Sequence, residues 1–203
     1  MKCSIIISVL DSHEILRRQL LHFERIMPAN FELIIMDDGS EVPLSNSRKL
    51  PFPLSIVPTH DTRPWTNNQA RNFGAEQAKG EYLLMTDIDH VMTQPALQAV
   101  STFQGDMLRF RRRIAQLDIH GRPCNLGAQR PPHVNTFAVK KDVFEKMGGY
   151  NREYAGYGTD WVIRQRYQNL ETSGQVTPCE WGPAVFVITD QQWFHKLERI
   201  ARS

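Results

Sequence analysis

Glu81-Tyr82-Leu83-Leu84-Met85-Thr86-Asp87-Ile88-Asp89 is the stretch on which the fold turns. Four residues without a charge or break, Tyr82 to Met85, suit a strand covered on both faces, and the run ends abruptly in a pair of carboxylates. Working outward toward the start, Gly80 stands as the stop of a helix predicted over Thr66 to Lys79. Before it, Leu54 to Val57 reads as a strand. Phe31 to Met36 reads as another, buried and closed by the turn-forming Asp37-Asp38-Gly39-Ser40. The apolar run Ile5 to Leu10 is a first strand. Asp11 with Glu14 resembles a capping box for a helix whose apolar residues Leu16, Leu20, Phe23 and Met27 recur at helical spacing until Pro28. Strands alternating with helices predict an α/β chain with a mixed, mostly parallel sheet flanked by helices. In such sheets ligands bind beyond the carboxyl ends of the strands, where both acidic clusters fall.

Toward the other end the pattern is less regular. Pro95 to Phe103 predicts a helix, Met107 to Arg111 a strand, and Gly121 to Pro132 a Gly/Pro/Arg-rich loop. Val134 to Val139 reads as a strand, Asp142 to Met147 as a short helix broken by Gly148-Gly149, and Asp160 to Leu170 as a further helix. Ala184 to Ile188 is a last strand, followed by a helical tail from Gln191. With no repeat and no long linker, residues 1–203 are expected to form a single domain, with 1–92 as its nucleotide-binding half and 93–203 as its acceptor and catalytic half.

A hydrophobic share of 41% and a charged share of 23% are ordinary for a globular chain, which excludes disorder as the default. A net charge of +2 is too mild for a nucleic-acid binder. Cys3, Cys124 and Cys179 form no paired spacing, which speaks against a disulfide framework or a structural zinc site and suits a cytoplasmic location. The apolar start lacks the cleavage pattern of a signal peptide, and no run is long enough to span a bilayer.

The chemistry concentrates in a few clusters. Asp87 and Asp89 stand two apart at a strand end, so both carboxylates can face one cleft and offer hard oxygens to Mg²⁺ or Mn²⁺; a solvated turn is the plainer alternative. Asp38, after a buried strand, can accept hydrogen bonds from a base or ribose, or simply close a turn. Arg71, in Arg71-Asn72-Phe73-Gly74, can pair with a diphosphate or lie exposed on its helix. Gly148-Gly149-Tyr150-Asn151 through Gly156-Tyr157-Gly158-Thr159-Asp160-Trp161 describes a loop able to close over a ligand, with Asp160 either functional or a helix cap. Tyr157 and Trp161 serve equally as sugar platforms or core. Arg109, Arg111, Arg112 and Arg113 read best as a solvated strand face, with a phosphate or anionic-acceptor clamp as the alternative.

Taken in order, Ile34 to Ser40, Ala70 to Gly74 with Ala78 to Tyr82, and Thr86 to Asp89 resemble the successive blocks of family 2 glycosyltransferases with the GT-A fold. Gly148 to Asn151 and Tyr157 to Asp160 resemble that family's later block and also the carboxy-terminal galactosyltransferase type. The resemblance spans Ile5 to about Arg166. It implies a GT-A-like domain in which Leu10 or Asp11 lines the nucleotide pocket, Asp38 contacts a uracil-type base, and Arg71 approaches base or diphosphate. Asp87 bonds the ribose or water on the metal, Asp89 ligates Mn²⁺ or Mg²⁺ directly, and Asp160 is the general base. It also implies a histidine ligand after the catalytic helix: His195 is the choice, with His133 and His90 as runners-up and a surface histidine as the alternative. Two departures stand out. The first strand ends Leu10-Asp11 where the family has an aromatic-Asn pair, and Thr159 replaces the Glu expected before Asp160.

The expected function is therefore a metal-dependent, inverting hexosyltransferase. It would move a sugar from a nucleoside diphosphate sugar, UDP-linked, to a hydroxyl on a saccharide, protein or lipid-linked acceptor, with peripheral membrane contact in the last case. Rival readings are a nucleotidyltransferase, for which Ser8 to Glu14 lacks the Gly-rich basic signature, and a catalytically silent nucleotide-sugar-binding protein.

Overall fold

The computed structural model of the chain describes residues 1–61, 63, 66–153 and 161–189. Its elements are β1 (Cys3–Val9), α1 (His13–Ile26), β2 (Phe31–Asp37), β3 (Leu54–Pro58), α2 (Asn67–Gln77), β4 (Tyr82–Asp87), β5 (His90–Val91) and α3 (Gln94–Thr102). After them come β6 (Met107–Leu117), β7 (Pro123–Cys124), β8 (Gln129–Arg130), β9 (Phe137–Lys140), α4 (Lys141–Lys146), α5 (Trp161–Thr172) and β10 (Glu180–Ile188). The main strands form one sheet in the order β3-β2-β1-β4-β9-β6-β10-β5, with β7 and β8 paired to β6. β3, β2, β1 and β4 run parallel, as do β6 and β10. β9 and β5 are antiparallel to their neighbours, so the sheet is mixed, as expected.

Period-two alternation along the strands sorts the core into two layers. Ile5, Ile7, Leu33, Ile35 and Leu84 pack with Leu16, Leu20 and Phe23 of α1 and with Leu97 and Val100 of α3. Ile6, Ile34, Met36, Leu83 and Met85 face the other way, onto Ala70 and Ala75 of α2, Phe144 of α4, and Ile163 and Tyr167 of α5. The first strand carries apolar residues toward both faces because both are covered. Cys3, Cys124 and Cys179 are all free thiols.

Local details differ from expectation in three places. Asp11 does not cap α1. Ser12 is the N-cap, and Asp11 instead has a left-handed φ of 49° and accepts from the Glu41 N–H at 2.8 Å, while Glu14 is held by Arg17 and Arg18. Gly80 is not the stop of α2, which closes at Ala78 in extended backbone. Its role is close approach: a Cβ there would lie 2.4 Å from the Ser4 nitrogen and 2.6 Å from the Cys3 carbonyl carbon. A buried network completes that contact, because Gly80 N–H donates to Ser4 Oγ while Ser4 Oγ and Lys79 N–H both donate to Glu32 Oε1. Finally, β6 extends to Leu117, and the following loop carries β7 and β8 as pairing partners of β6. The helical tail expected from Gln191 lies outside the described residues.

Candidate active site

β9 decides where the site is assembled. It enters the sheet antiparallel between β4 and β6, pairing Phe137 with Met85 and with Arg109. A strand that starts where β4 ends must bring its own approach segment, His133 to Thr136, to the carboxyl end of β4. Asp87 closes β4, and His133 Nδ1 lies 3.0 Å from its Oδ2. Past Asp87 the chain turns rather than continuing as a strand. Asp87 and Asp89 are thus related by the His90 ring and not by strand alternation: His90 Nδ1 is 2.7 Å from Asp89 Oδ1 and 3.9 Å from Asp87 Oδ2.

Two buried polar residues of α1 hold that turn. Gln19 Nε2 donates to the Ile88 carbonyl, and His22 Nε2 lies 2.8 Å from the Met92 carbonyl. On the far side, Arg112 of β6 donates through Nη1 to His90 Nε2 at 3.0 Å and through Nε to the Pro131 carbonyl. A guanidinium only donates, so His90 Nε2 accepts and Nδ1–H donates to Asp89. Arg112 therefore fixes the His90 tautomer and through it the Asp89 carboxylate. The expectation of a solvated strand face is corrected at this position: the side chain of Arg112 is drawn into the site.

Asp87 is gripped from behind by Arg71, whose guanidinium donates to Oδ1 and lies 5.3 Å from the Tyr150 ring. Burial pushes the Asp87 carboxyl up, but the Arg71 charge and the His133 hydrogen bond outweigh it and hold the group well below the usual carboxylate range. Arg71 is 2% exposed, so the alternative of an exposed helix arginine is set aside. Its neighbour Asn72 clasps the Tyr150 backbone with both ends of its amide, at 2.9 and 3.0 Å.

The second acidic cluster divides its labour. Asp37 is structural, accepting from the Ser40 and Leu44 N–H groups at 2.9 Å each. Asp38 is buried at the mouth of β2, accepts from the Thr66 hydroxyl, and is pushed up to about 6 by burial, only partly offset by Thr66 and the Arg71 charge. Asp11 lies against the same loop, its N–H donating to Ser40 Oγ at 2.9 Å. Leu10 precedes it, half-buried at the end of β1.

Asp11, Asp38, Arg71, Asp87 and Asp89 thus all sit at the carboxyl ends of β1, β2 and β4 or on the helix that faces them. Asp160 and His195 lie outside the described residues. Gln19 and His22 were not singled out from the sequence, and Arg112 only as one member of the basic run. The available signal was polar residues beside the apolar stripe of α1 and, for Arg112, its place in the basic run. As for a metal, Asp87, His90 and His133 each offer an atom within 4.8 Å of one another. Asp87 Oδ2 and His133 Nδ1, here paired with one another, and the His90 ring make a mixed oxygen and nitrogen set of the kind that fits a divalent cation, and Asp89 borders it through His90.

The sequence profile of glycosyl transferase family 2 matches residues 4–110, more than half of the chain. The chain belongs to that family. By fold this family 2 chain is similar to the crystal structure of S. aureus TarS 1-349 in complex with UDP-GlcNAc, with a TM-score of 0.66 at 15% identity, covering 100% of this chain and 66% of that one. It is similar to the same piece in complex with UDP, with a TM-score of 0.63 at 16% identity, over 98% of this chain and 64% of that one. It is also similar to a longer S. aureus TarS structure, with a TM-score of 0.64 at 16% identity, of which it covers 39%. The family 2 chain therefore spans less than two thirds of the length of these structures. No curated protein matches it by sequence.

Proposed function

We propose that this chain transfers a sugar from a UDP-linked donor to an acceptor hydroxyl with inversion, using a divalent cation. The observation that carries the reading is the convergence of Asp87, His90 and His133 at the end of β4, with Asp89 held against His90, backed by Arg71 and Arg112, in a family 2 chain. UDP and UDP-GlcNAc in the TarS structures of similar fold support a uridine nucleotide.

In this reading residues 1–92 hold the nucleotide and the later half serves the acceptor. Asp38, set by Thr66, accepts from the base, and the Asp11 loop borders it. Asp87, Asp89 and His133 hold the cation, Mn²⁺ suiting the imidazole better than Mg²⁺. Bound there, the cation supplies charge that offsets the negative charge growing on the departing diphosphate. Arg71 keeps Asp87 ionised and aimed, and Arg112 orients Asp89 through His90. Asp160, directly before α5, takes the acceptor proton as the hydroxyl oxygen bonds the anomeric carbon and the bond to the diphosphate breaks. His133, rather than His195, is assigned as the histidine ligand, because its ring already meets Asp87.

The test is turnover of UDP-sugars with Mn²⁺. Slow donor hydrolysis without acceptor is expected, abolished by chelation. His133→Ala is expected to weaken UDP binding in Mn²⁺ at least tenfold while leaving metal-free binding unchanged. Equal UDP affinity with and without metal would sink the metal assignment, and no turnover of any nucleotide sugar would favour the silent binding protein.

A further inference from the structure

The basic run of β6 does not act as one surface. Arg112 serves His90, Arg113 donates to the Gly127 carbonyl, and Arg111 is exposed. Arg109 turns to the opposite face of the sheet from Arg112, beneath α5, with its guanidinium 5.0 Å from the Trp181 ring. There it shares a pocket of about 60 Å³ with Arg164 from the first turn of α5, over a floor of Met107, Val134, Phe137 and Ile163. That is room for a group the size of a carboxylate or phosphate.

Arg109 is half-buried and Arg164 is exposed at the mouth, so two like charges meet at one pocket with an apolar floor, and an anion between them would be attracted to both. Burial first, and then the Arg164 charge, push the Arg109 guanidinium down from its ordinary range. Among the described residues no carboxylate forms an ion pair with either arginine. Glu171 also lines the pocket, and its charge acts on Tyr167 and Cys179 rather than on Arg109. The pocket adjoins the proposed reaction centre in the chain: Val134 follows His133, and Arg164 comes four residues after Asp160 in sequence. Trp181, whose ring lies beside Arg109, is 50% exposed and leaves apolar ring surface for a sugar next to the clamp.

We propose that Arg109 and Arg164 form an anion clamp that selects an acidic acceptor, a saccharide carrying a carboxylate or phosphate group. The clamp rests on the transferase reading for its role, but its ligand chemistry can be tested without turnover. The probes are glucose 6-phosphate, glucuronate and glucose, titrated calorimetrically into metal-free protein. Both anionic sugars, or one of them, should bind at least tenfold more tightly than glucose, and whichever wins names the anion. Arg109→Gln with Arg164→Gln should erase that preference with the circular dichroism spectrum kept. Arg111→Gln, on the same strand but outside the pocket, should leave the preference and donor hydrolysis unchanged. Equal binding of all three sugars to the wild-type protein would overturn the clamp whether or not the double variant folds, as would a preference that survives in a folded double variant. Donor hydrolysis, measured separately, reports on the transferase reading: if it persists while the preference is missing, only the clamp falls.

Discussion

At the scale of single residues, Asp38 shows a site held against its own electrostatics. Its carboxyl is raised from an ordinary 3.8 to about 6, so between those pH values the folded chain binds more protons than the unfolded one. Stability contributed by Asp38 therefore falls as pH rises through that window and stays lower above it. Asp38→Asn keeps an acceptor for Thr66 and removes the charge. It should be more stable than the wild type at pH 7.5, by up to about 3 kcal/mol, and close to it at pH 4. UDP affinity should drop at least tenfold if the carboxylate reads the base. Thermal melts across pH with UDP titrations check both, and a variant less stable at pH 7.5 would contradict the burial argument. Asp160 calls for a different separation, between cap and base. Asn caps a helix about as well as Asp, so Asp160→Asn should retain melting temperature and donor affinity while transfer falls roughly 10²-fold or more, the scale of general-base catalysis. An active Asp160→Asn enzyme would refute the mechanism.

At the scale of elements, the decisive joints lie where helices meet the sheet. Gly80 lets the α2–β4 turn press on the β1 backbone, with contacts from a Cβ at 2.4 to 2.8 Å that no rotamer can relieve. Gly80→Ala should cost about 3 kcal/mol, lowering the melting temperature by roughly 6–12 °C for a chain of this size. A melt within 2 °C of the wild type would show that the turn yields. The strands β1, β2 and β4 were legible because a buried parallel strand carries apolar residues on both faces, β3, a half-exposed edge strand, from its short apolar run, and helix α1 because its apolar stripe is regular. Less legible were elements stabilised by pairing alone. β7 and β8 are two residues each and owe their conformation to β6. β6 itself carries arginines on both faces, so its length could not be read from hydrophobicity. The role of Gly80 was misread for a related reason, since a glycine after a helix looks the same whether it ends the helix or makes room for a neighbouring backbone.

At the scale of the whole molecule, stability and ligand binding are linked. UDP with Mn²⁺ at 100 times its dissociation constant should add about 2.7 kcal/mol, a rise of roughly 5–10 °C, and chelation should remove most of it. A shift by UDP that is identical in chelator would detach the nucleotide from the cation. With all three cysteines free, reductant should leave the melt unchanged. The sequence by itself determined the α/β alternation, the strand ends that bear Asp38 and Asp87, and the family blocks, because burial periodicity and turn chemistry act over a few residues. Which side chains meet was decided only by tertiary structure. His133 reaches Asp87 because β9 is inserted antiparallel beside β4, Arg112 reaches Asp89 through His90 because β6 lies beyond β9, and Arg109 meets Arg164 because α5 packs on the opposite face. Those contacts join residues 22 to 55 positions apart, and no local preference of the chain encodes a pairing order among strands.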